Sequence, residues 1–199
     1  MLDSSGSLRE RYSQIKSFIQ KFTSNLDISH DGVHVGVVTF SFYAKLSIKF
    51  SDFTDVRDFG EAVQRIPLMA STSRIDRALK VVDQELFSEA NGARLDNNVT
   101  KMLVLLTDGT QTQDKDAVDP GKIGQLLRQK DIHILCVGIG DGIDRQELTH
   151  ISGDSARVYI ASDLDELMAS SFIAKVLVKC CETGNFFFYE EISLATSQS

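Results

Sequence analysis

Two short motifs rich in oxygen-bearing side chains, far apart in the chain, suggest the chemistry of this sequence. Residues 3–7 read Asp-Ser-Ser-Gly-Ser, so Asp3, Ser5 and Ser7 alternate and provide one carboxylate and two hydroxyls. Asp108 provides a second carboxylate close behind an apolar run. Hard divalent cations such as Mg²⁺ prefer oxygen ligands in near-octahedral geometry with only one or two carboxylates. A site of this kind has few protein charges and keeps one coordination position open, which suits the capture of an acidic partner.

Each motif has a plainer interpretation when it is taken alone. Asp and Ser side chains bond nearby backbone N–H groups, so residues 3–7 also suit a tight turn or a helix N-cap. Ser7 and Glu10 have the spacing of a capping box. A metal site is therefore expected only if the fold brings Asp3 and Asp108 to one place.

The segments that must position these side chains alternate between helical and strand patterns. Apolar residues recur at helical spacing in 8–26, whereas 33–40 is a β-branched, apolar run typical of a buried strand. The same criteria predict further strands at 44–50, 102–106, 132–139 and 158–160, and further helices at 56–66, 75–87, 119–129, 144–151 and from 162 onward. This order predicts an α/β fold: a doubly wound, mostly parallel sheet with helices on both faces. The short link at 41–43 predicts one antiparallel edge strand.

The predicted topology places both motifs at one edge of the sheet. In doubly wound sheets, ligands bind beyond the carboxyl ends of the strands, where the strand order switches. Asp108 closely follows the strand at 102–106, and Asp3 precedes the helix at 8–26, where a strand is expected to end. The sequence therefore favours a shared metal site over two unrelated turns.

Size and composition indicate one globular domain and exclude several functional classes. The 199 residues are 42% hydrophobic and 25% charged, and a chain of this length can bury a sizeable core. A net charge of −7 argues against a nucleic-acid or anionic-membrane partner. No apolar run approaches the roughly 20 residues that span a bilayer, and no signal peptide is recognisable before Asp3. We therefore expect neither nucleic-acid binding nor membrane insertion.

The order and spacing of the motifs resemble those of the von Willebrand factor A (vWA) domain. The resemblance covers residues 3–181 and is carried by DSSGS at 3–7, VGVVTFS at 35–41, SRIDRAL at 73–79, LVLLTDG at 103–109 and VGIG at 137–140. The loops are more similar to the extracellular-matrix branch, such as type VI collagen chains and matrilins, than to the inserted domains of integrins. The resemblance implies a vWA domain at 1–181 and leaves 182–199 as a tail without a family counterpart.

The resemblance also implies a metal-ion-dependent adhesion site. In the family, an Asp-x-Ser-x-Ser loop, a threonine from a second loop and an aspartate from a third hold one Mg²⁺ or Mn²⁺ ion. The corresponding residues here are Asp3, Ser5, Ser7, Ser73 and Asp108. Ser73 stands where the family has threonine, and the adjacent Thr72 is the alternative ligand.

In the family the open metal position accepts an acidic side chain of a protein partner. The implied partner here is an extracellular matrix protein such as collagen, bound through a Glu or Asp. The loop residues Thr110, Gln111 and Thr112 are expected to add specificity. The resemblance therefore implies an extracellular adhesion or matrix-interaction domain.

One departure from the family pattern concerns the first strand. The family has an apolar central strand before the first Asp of the motif, whereas only Met1 and Leu2 precede Asp3 here. We therefore expect this strand to be missing, its neighbours to be left unpaired and the domain to be poorly stable by itself. The aromatic cluster at 186–189 is the alternative segment that could fill the gap.

An enzymatic interpretation has less support. Phosphotransfer proteins of similar architecture need a second carboxylate near the first, usually as Asp-x-Asp, and Ser5 holds that position. The glycines at 138, 140 and 142 lack the final glycine of a dinucleotide fingerprint, because residue 143 is Ile. We predict a protein that is not an enzyme. The alternatives are an intracellular vWA assembly module and, with less support, an Mg²⁺-dependent phosphotransfer enzyme.

The compartment is indicated by a sequon and by the cysteines. Asn98-Val99-Thr100 is a glycosylation sequon in a polar connection, which makes Asn98 a candidate glycan site. Cys136 lies in an apolar run and is predicted to be a buried thiol. Cys180 and Cys181 adjoin each other without zinc-type spacing, so one of them is expected to bridge to a segment that is not part of this sequence. Together these features favour a secreted, extracellular protein.

Overall fold

The computed structural model describes residues 1–96 and 98–182, without the side chains of residues 181 and 182. The strands within these ranges are β1 (Leu2–Asp3), β2 (Val37–Phe40), β3 (Ala44–Ile48), β4 (Lys101–Thr107), β5 (Ile132–Ile139) and β6 (Val158–Ala161). The α-helices there are α1 (Tyr12–Thr23), α2 (Val56–Gln64), α3 (Ile75–Val81), α4 (Pro120–Gln129), α5 (Arg145–Ser152), α6 (Leu164–Met168) and α7 (Ser170–Glu182).

In the described part of the chain, the strands form one sheet in the order β3-β2-β1-β4-β5-β6. All neighbours run parallel except β2 and β3, which form an antiparallel hairpin at the edge. Helices cover both faces, so β4 and β5 are apolar on each side, as buried parallel strands must be. The predicted doubly wound α/β sheet with one antiparallel edge strand is confirmed.

The sheet separates two apolar cores. On one face, Ile15 and Phe18 of α1 and Phe59 of α2 pack with residues of α6 and α7. On the other face, Leu79 of α3 and Leu127 of α4 pack with residues of α5 and the strands. Each of these side chains is almost completely buried, so hydrophobic burial fixes the helices on both faces of the sheet.

Aspartate side chains begin several helices. Asp55, Asp144 and Asp163 each accept hydrogen bonds from backbone N–H groups in the first turn of the helix that follows. Asp119 does the same for α4, where Pro120 occupies the first helical position without losing a bond. These caps fix where α2, α4, α5 and α6 start.

Three elements differ from the sequence prediction. The strand predicted at 33–40 begins only at Val37 because the described chain gives its earlier residues no partner on the β1 side. The helix predicted at 75–87 ends at Val81 and continues as a π-helical turn, Val82–Leu86. The helix predicted from 162 onward is divided into α6 and α7, and the buried residues of α7 recur at helical spacing. They are Phe172, Ile173, Val176, Leu177 and Cys180.

The expectation of a missing central strand needs correction. A two-residue β1 occupies the central position, with Leu2 paired to Thr39 on one side and to Leu106 on the other. The Met1 amino group donates to Val104 O at 2.6 Å, and Leu106 N–H donates to Met1 O at 3.0 Å. The strand therefore exists, but it supports only the carboxyl-terminal part of the sheet.

An apolar groove continues from β1 towards the amino ends of β2 and β4. Its cavity volume is about 440 Å³. The lining includes Phe18 and Phe22 of α1, Val35 and Met102 beside the strands, and Cys180 of α7. Burial in this region lowers the pKa of the Met1 amino group to about 5. The position of a longer first strand is thus an open groove in the described structure.

The remaining sequence features have separate outcomes. Cys136 is the buried thiol that was predicted, and burial raises its pKa to about 12. Cys180 is buried, whereas the side chain of Cys181 and the aromatic cluster at 186–189 lie outside the described residues. No helix in the described ranges is long and apolar enough to cross a membrane.

Candidate metal centre

Three segments that are distant in sequence meet at the carboxyl end of β1. Asp3 is the last residue of that strand, and a 3-10 turn at Gly6–Leu8 follows it directly. The loop before α3 contributes Ser73, and Asp108 follows the last residue of β4. Because β1 lies between β2 and β4, this point is the switch in strand order where ligands bind in such sheets.

Backbone bonds join the loop before α3 to the turn after β1. Gly6 N–H donates to Ser71 O at 2.8 Å, and Ala70 N–H donates to Ser4 O at 2.9 Å. The Ser4 hydroxyl accepts a further bond from Met69 N–H at 2.8 Å. Ala70 adopts a φ of 54°, a left-handed conformation that is uncommon for a residue with a side chain. The two loops are therefore fixed relative to each other by the main chain.

Asp3 is the centre of the cluster. Its side chain is 0% exposed and accepts three hydrogen bonds. Ser5 N–H donates to Oδ1 at 2.9 Å, the Ser73 hydroxyl donates to Oδ2 at 3.1 Å, and the Thr107 hydroxyl donates to Oδ2 at 2.7 Å. One buried carboxylate thus ties together β1, the loop before α3 and the end of β4.

A chain of hydroxyls leads from this buried carboxylate to the surface. The Ser5 and Ser7 hydroxyls are 3.0 Å apart, and the Ser7 hydroxyl donates to Asp108 Oδ1 at 3.0 Å. Ser5 is buried, Asp108 is half-buried and Ser7 is exposed. The oxygen cluster therefore opens to solvent on its Ser7 side.

The electrostatics of the cluster suit a cation. Burial raises the pKa of Asp3, hydrogen bonds from Thr107 and Ser5 oppose that rise, and the nearby Asp108 carboxylate adds to it. Two carboxylates so placed repel each other when both are ionised, and a divalent cation between them would offset that repulsion. The described ranges contain no group of three or more His, Cys, Asp or Glu side chains that could hold a metal. Any ligand set built on Asp3 and Asp108 would therefore include hydroxyl oxygens or water.

The structure brings the five predicted ligands together. It also distinguishes between Ser73 and Thr72, the two alternatives for the ligand from the loop before α3. Ser73 is buried and bonds to Asp3, whereas the adjacent Thr72 is exposed and makes no such bond. The capping-box interpretation of Ser7 is wrong, because its hydroxyl bonds to side chains and not to a helix N-terminus.

Sequence reasoning missed Thr107 as a member of the cluster. Its hydroxyl makes the shortest of the bonds to Asp3 and lies 3.1 Å from Gly109 O. The available signal was its place directly before Asp108, at the end of a predicted strand. Thr107 positions the Asp3 carboxylate from the β4 side.

A buried arginine holds the loops behind the cluster. Arg74 is 1% exposed and binds Asp76 through two parallel bonds of 2.9 Å. Its remaining nitrogen reaches Asp116 at 2.9 Å and Asp114 at 3.2 Å. Bidentate arginine–carboxylate pairs are geometrically specific. Arg74, the residue after Ser73, therefore anchors the loop before α3 to the segment that follows Asp108.

The side chain of Gln111 does not face a partner, although a specificity role was expected of it. Its side chain is 3% exposed, and both of its polar atoms form hydrogen bonds within the protein. Asp76 N–H donates to Oε1 at 2.7 Å, and Nε2 donates to Val118 O at 2.8 Å. Thr112 is half-buried and its N–H donates to Ser73 O at 2.8 Å. Thr110 is the one of the three that is exposed.

Comparison with known proteins agrees with this architecture. The profile described as "von Willebrand factor type A domain" matches residues 1–172. The chain belongs to this family. The human collagen alpha-5(VI) chain is 32% identical over 182 residues, which are 91% of this chain and 6% of that protein. Chicken matrilin-1 is 28% identical over 184 residues, which are 91% of this chain and 35% of that protein. This vWA domain thus spans only a small part of these matrix proteins.

A solved structure from the mussel byssus has the same fold. Proximal thread matrix protein 1, determined with a zinc-occupied metal-ion-dependent adhesion site (MIDAS) motif, superposes with a TM-score of 0.81. The two chains are 24% identical over 90% of this chain and 46% of that one. At this identity the likeness establishes the vWA fold and nothing about the ligands of this chain.

Proposed function

We propose that this vWA domain binds Mg²⁺ or Mn²⁺ through Asp3, Ser5, Ser7, Ser73 and Asp108, and uses the metal to capture an acidic side chain of an extracellular matrix protein. The observation that carries the proposal is the convergence on one buried carboxylate of hydroxyls from two distant segments, with a second carboxylate nearby. All five side chains offer oxygen, and only two of them are carboxylates, which fits a hard divalent cation.

The proposed ligands have different roles in binding the metal and in admitting the partner. Asp3 is held in place by Ser5 N–H and Thr107, so its carboxylate needs little rearrangement to face a cation. Ser7 and Asp108 form the solvent side, where a partner could approach. When bound, the ion would supply an electrophilic position for a carboxylate. Because few protein charges surround it, that position would stay attractive to an acidic partner.

The relatives support an extracellular setting and a matrix partner such as collagen, because they are collagen VI chains and a matrilin. Asn98 is exposed, which suits the proposed glycan. Secretion from eukaryotic cells followed by amidase treatment should shift the mobility of the wild type and leave Asn98→Gln unchanged. Equal mobility of both proteins before treatment would contradict glycosylation.

We further propose that the domain is not an enzyme. Ser5 stands where phosphotransfer proteins of similar architecture carry their second aspartate. The hydroxyls of the cluster bond to carboxylates and to each other, and no histidine or lysine side chain bonds to them in the described residues. Stable phosphorylation of Asp3 by acetyl phosphate, detected by mass spectrometry, would contradict this proposal.

Calorimetry tests the metal site directly. Titration with Mn²⁺ and Mg²⁺ should show one site in the wild type and in Asp141→Ala, a matched change of an exposed aspartate after β5. Asp108→Ala should lose that binding. Binding to immobilised collagen should then require metal, disappear with EDTA and be absent in Asp108→Ala. Equal Mn²⁺ binding by wild type and Asp108→Ala would remove the basis of the assignment.

A further inference from the structure

Two arginines differ from all others in the described part of the chain. The side chains of Arg9 and Arg11 are exposed and make no hydrogen bond or ion pair there. Every other arginine does so: Arg57, Arg65, Arg74, Arg77, Arg94, Arg128, Arg145 and Arg157. The chain has 28 acidic and 21 basic residues, yet neither of these two arginines has an acidic partner among the described residues.

Both arginines lie at the solvent side of the candidate metal centre. A surface depression is lined by Gly6, Ser7, Arg9, Glu10, Arg11 and Asp108. Ser7 and Asp108 are the two most accessible of the proposed ligands. A partner that reached these residues would therefore also meet the two guanidinium groups.

The surroundings leave the arginines free to bind. Arg11 Nη1 lies 3.6 Å from the position that a Cβ on Gly140 would occupy, so it extends over the loop that follows β5. Glu10, between the two arginines, is exposed and forms no ion pair with either within 4.0 Å. The guanidinium groups therefore keep their bonding capacity for an external anion, and arginine is well suited to bind carboxylates in a bidentate manner.

We propose that Arg9 and Arg11 form a carboxylate-binding rim that selects a protein segment with a second acidic side chain close to the one directed at the metal centre. This inference rests on the proposed function. The net charge of −7 would repel such an acidic segment at long range, and the rim would offset that repulsion at the site itself. The partner class is thus an acidic peptide segment with two neighbouring carboxylates.

Blocked synthetic peptides test the proposal. A glycine-serine peptide with one Glu would be compared, in Mn²⁺, with peptides carrying a second Glu one to four residues later. For at least one spacing, the wild type should bind the peptide with two Glu residues about two- to fivefold more tightly, as expected for exposed ion pairs. Arg9→Gln/Arg11→Gln should bind both peptides equally. Arg57→Gln/Arg65→Gln removes the same charge from α2 and should keep the preference.

Each other outcome has a definite meaning. The rim proposal is overturned if the wild type shows no preference at any spacing, if no peptide binds, or if the α2 control loses the preference as fully as the rim variant. Mn²⁺ calorimetry separates this failure from that of the metal site: the rim variant should bind Mn²⁺ like the wild type. A two-Glu preference that persists in EDTA would retain the rim and overturn the metal-dependent function.

Discussion

The two ends of β1 lie only a few residues apart and differ in their surroundings: one is hydrogen-bonded to several segments, and the other borders an apolar groove. At the carboxyl end, Asp3 accepts three hydrogen bonds from three segments, and the hydroxyl chain continues to Asp108. At the amino end, the Met1 amino group donates to Val104 O as its one bond within the described residues, and it borders an apolar groove of about 440 Å³. One end is a finished polar cluster, and the other is an open space in the core.

This difference shows that the site does not depend on the whole of the strand that carries it. The polar end is fixed by side chains and loops from β4 and the segment before α3. The apolar end depends on residues packing between β2 and β4, which the described chain supplies only as far as Met1. We therefore expect global stability to be controlled at the amino end and metal binding at the carboxyl end.

The largest effect should come from filling the groove. An extension of about four apolar residues before Met1 would bury side chains worth roughly 1.5–3 kcal/mol each and add ladder bonds of about 1 kcal/mol each. Ordering would cost about 1–2 kcal/mol per residue. A net gain on the order of 7 kcal/mol should raise the Tm by about 20 °C, measured by calorimetry. A serine-glycine extension of equal length is the control and should change little.

The contrary result is equally informative. If the unextended chain already melts cooperatively above about 60 °C, in the upper mesophile range, and the apolar extension adds nothing, another segment must fill the groove. Deletion of 186–189, which lies outside the described residues, would then be expected to unfold the domain.

The next effect concerns the buried amino group in a protein that begins at Met1. Its pKa falls from 8.0 to about 5 because burial disfavours the charged form. Between these values the unfolded chain binds more protons than the folded one, so stability is highest above pH 8 and declines as the pH falls towards 5. The loss is about 2–4 kcal/mol, since one pKa unit corresponds to about 1.4 kcal/mol. Urea unfolding from pH 8 to 5 should show this decline, and N-terminal acetylation should flatten it. Parallel curves for both forms would contradict the buried amine.

The fold was largely predictable because its signals are local and apolar. The strand at 132–139 was predicted to the residue, since every residue from Ile132 to Ile139 except His133 is buried. The start of β2 was not predictable from its own residues, because the segment 33–36 has strand composition but forms no β-ladder pairing in the described chain. The length of a strand in a sheet depends also on the length of the neighbouring strand, which the pattern in one segment cannot reveal.

The candidate site was predictable in its residues and less so in its supports. The regular alternation of Asp3, Ser5 and Ser7 in the sequence identified these three candidate ligands. The position of Asp108 close behind a predicted strand identified the fourth. The choice of Ser73 over Thr72 depended on the family resemblance, because both residues carry hydroxyls. The burial of Gln111 could not be inferred from the sequence. It follows from a bond to Asp76, which is distant in sequence, and from a bond to Val118 that depends on the conformation of the intervening loop.

A smaller effect should separate stability from function at the polar end. Asp3→Asn keeps an acceptor for Ser5 N–H and removes a buried charge beside Asp108. Without metal, its free energy of unfolding should equal that of the wild type or exceed it by about 1 kcal/mol. Metal at 100 times the Kd should stabilise the wild type by about 2.7 kcal/mol and leave the variant unchanged. Thermal melts with Mn²⁺ and with EDTA provide the measurement. A marked loss of stability in EDTA would show instead that the charge of Asp3 holds the loops together.

The smallest effect should appear in acid and concerns the support behind the site. Hydrogen bonds from Arg74 and Arg77 lower the pKa of Asp116 to about 2. A lowered pKa means that the folded state releases its proton more readily, so this contribution is present above about pH 4 and is lost as the pH falls towards 2. Asp116→Asn should lower the urea midpoint slightly at pH 7 and lose this part of the acid dependence. Asp165→Asn, an exposed residue of α6 without an arginine partner in the described structure, should match the wild type.

Because Arg74 adjoins Ser73, Asp116→Asn should also weaken Mn²⁺ binding modestly if the support reaches the site. If Mn²⁺ affinity is unchanged while the acid dependence is lost, the arginine network stabilises the loops without setting the geometry of the metal centre.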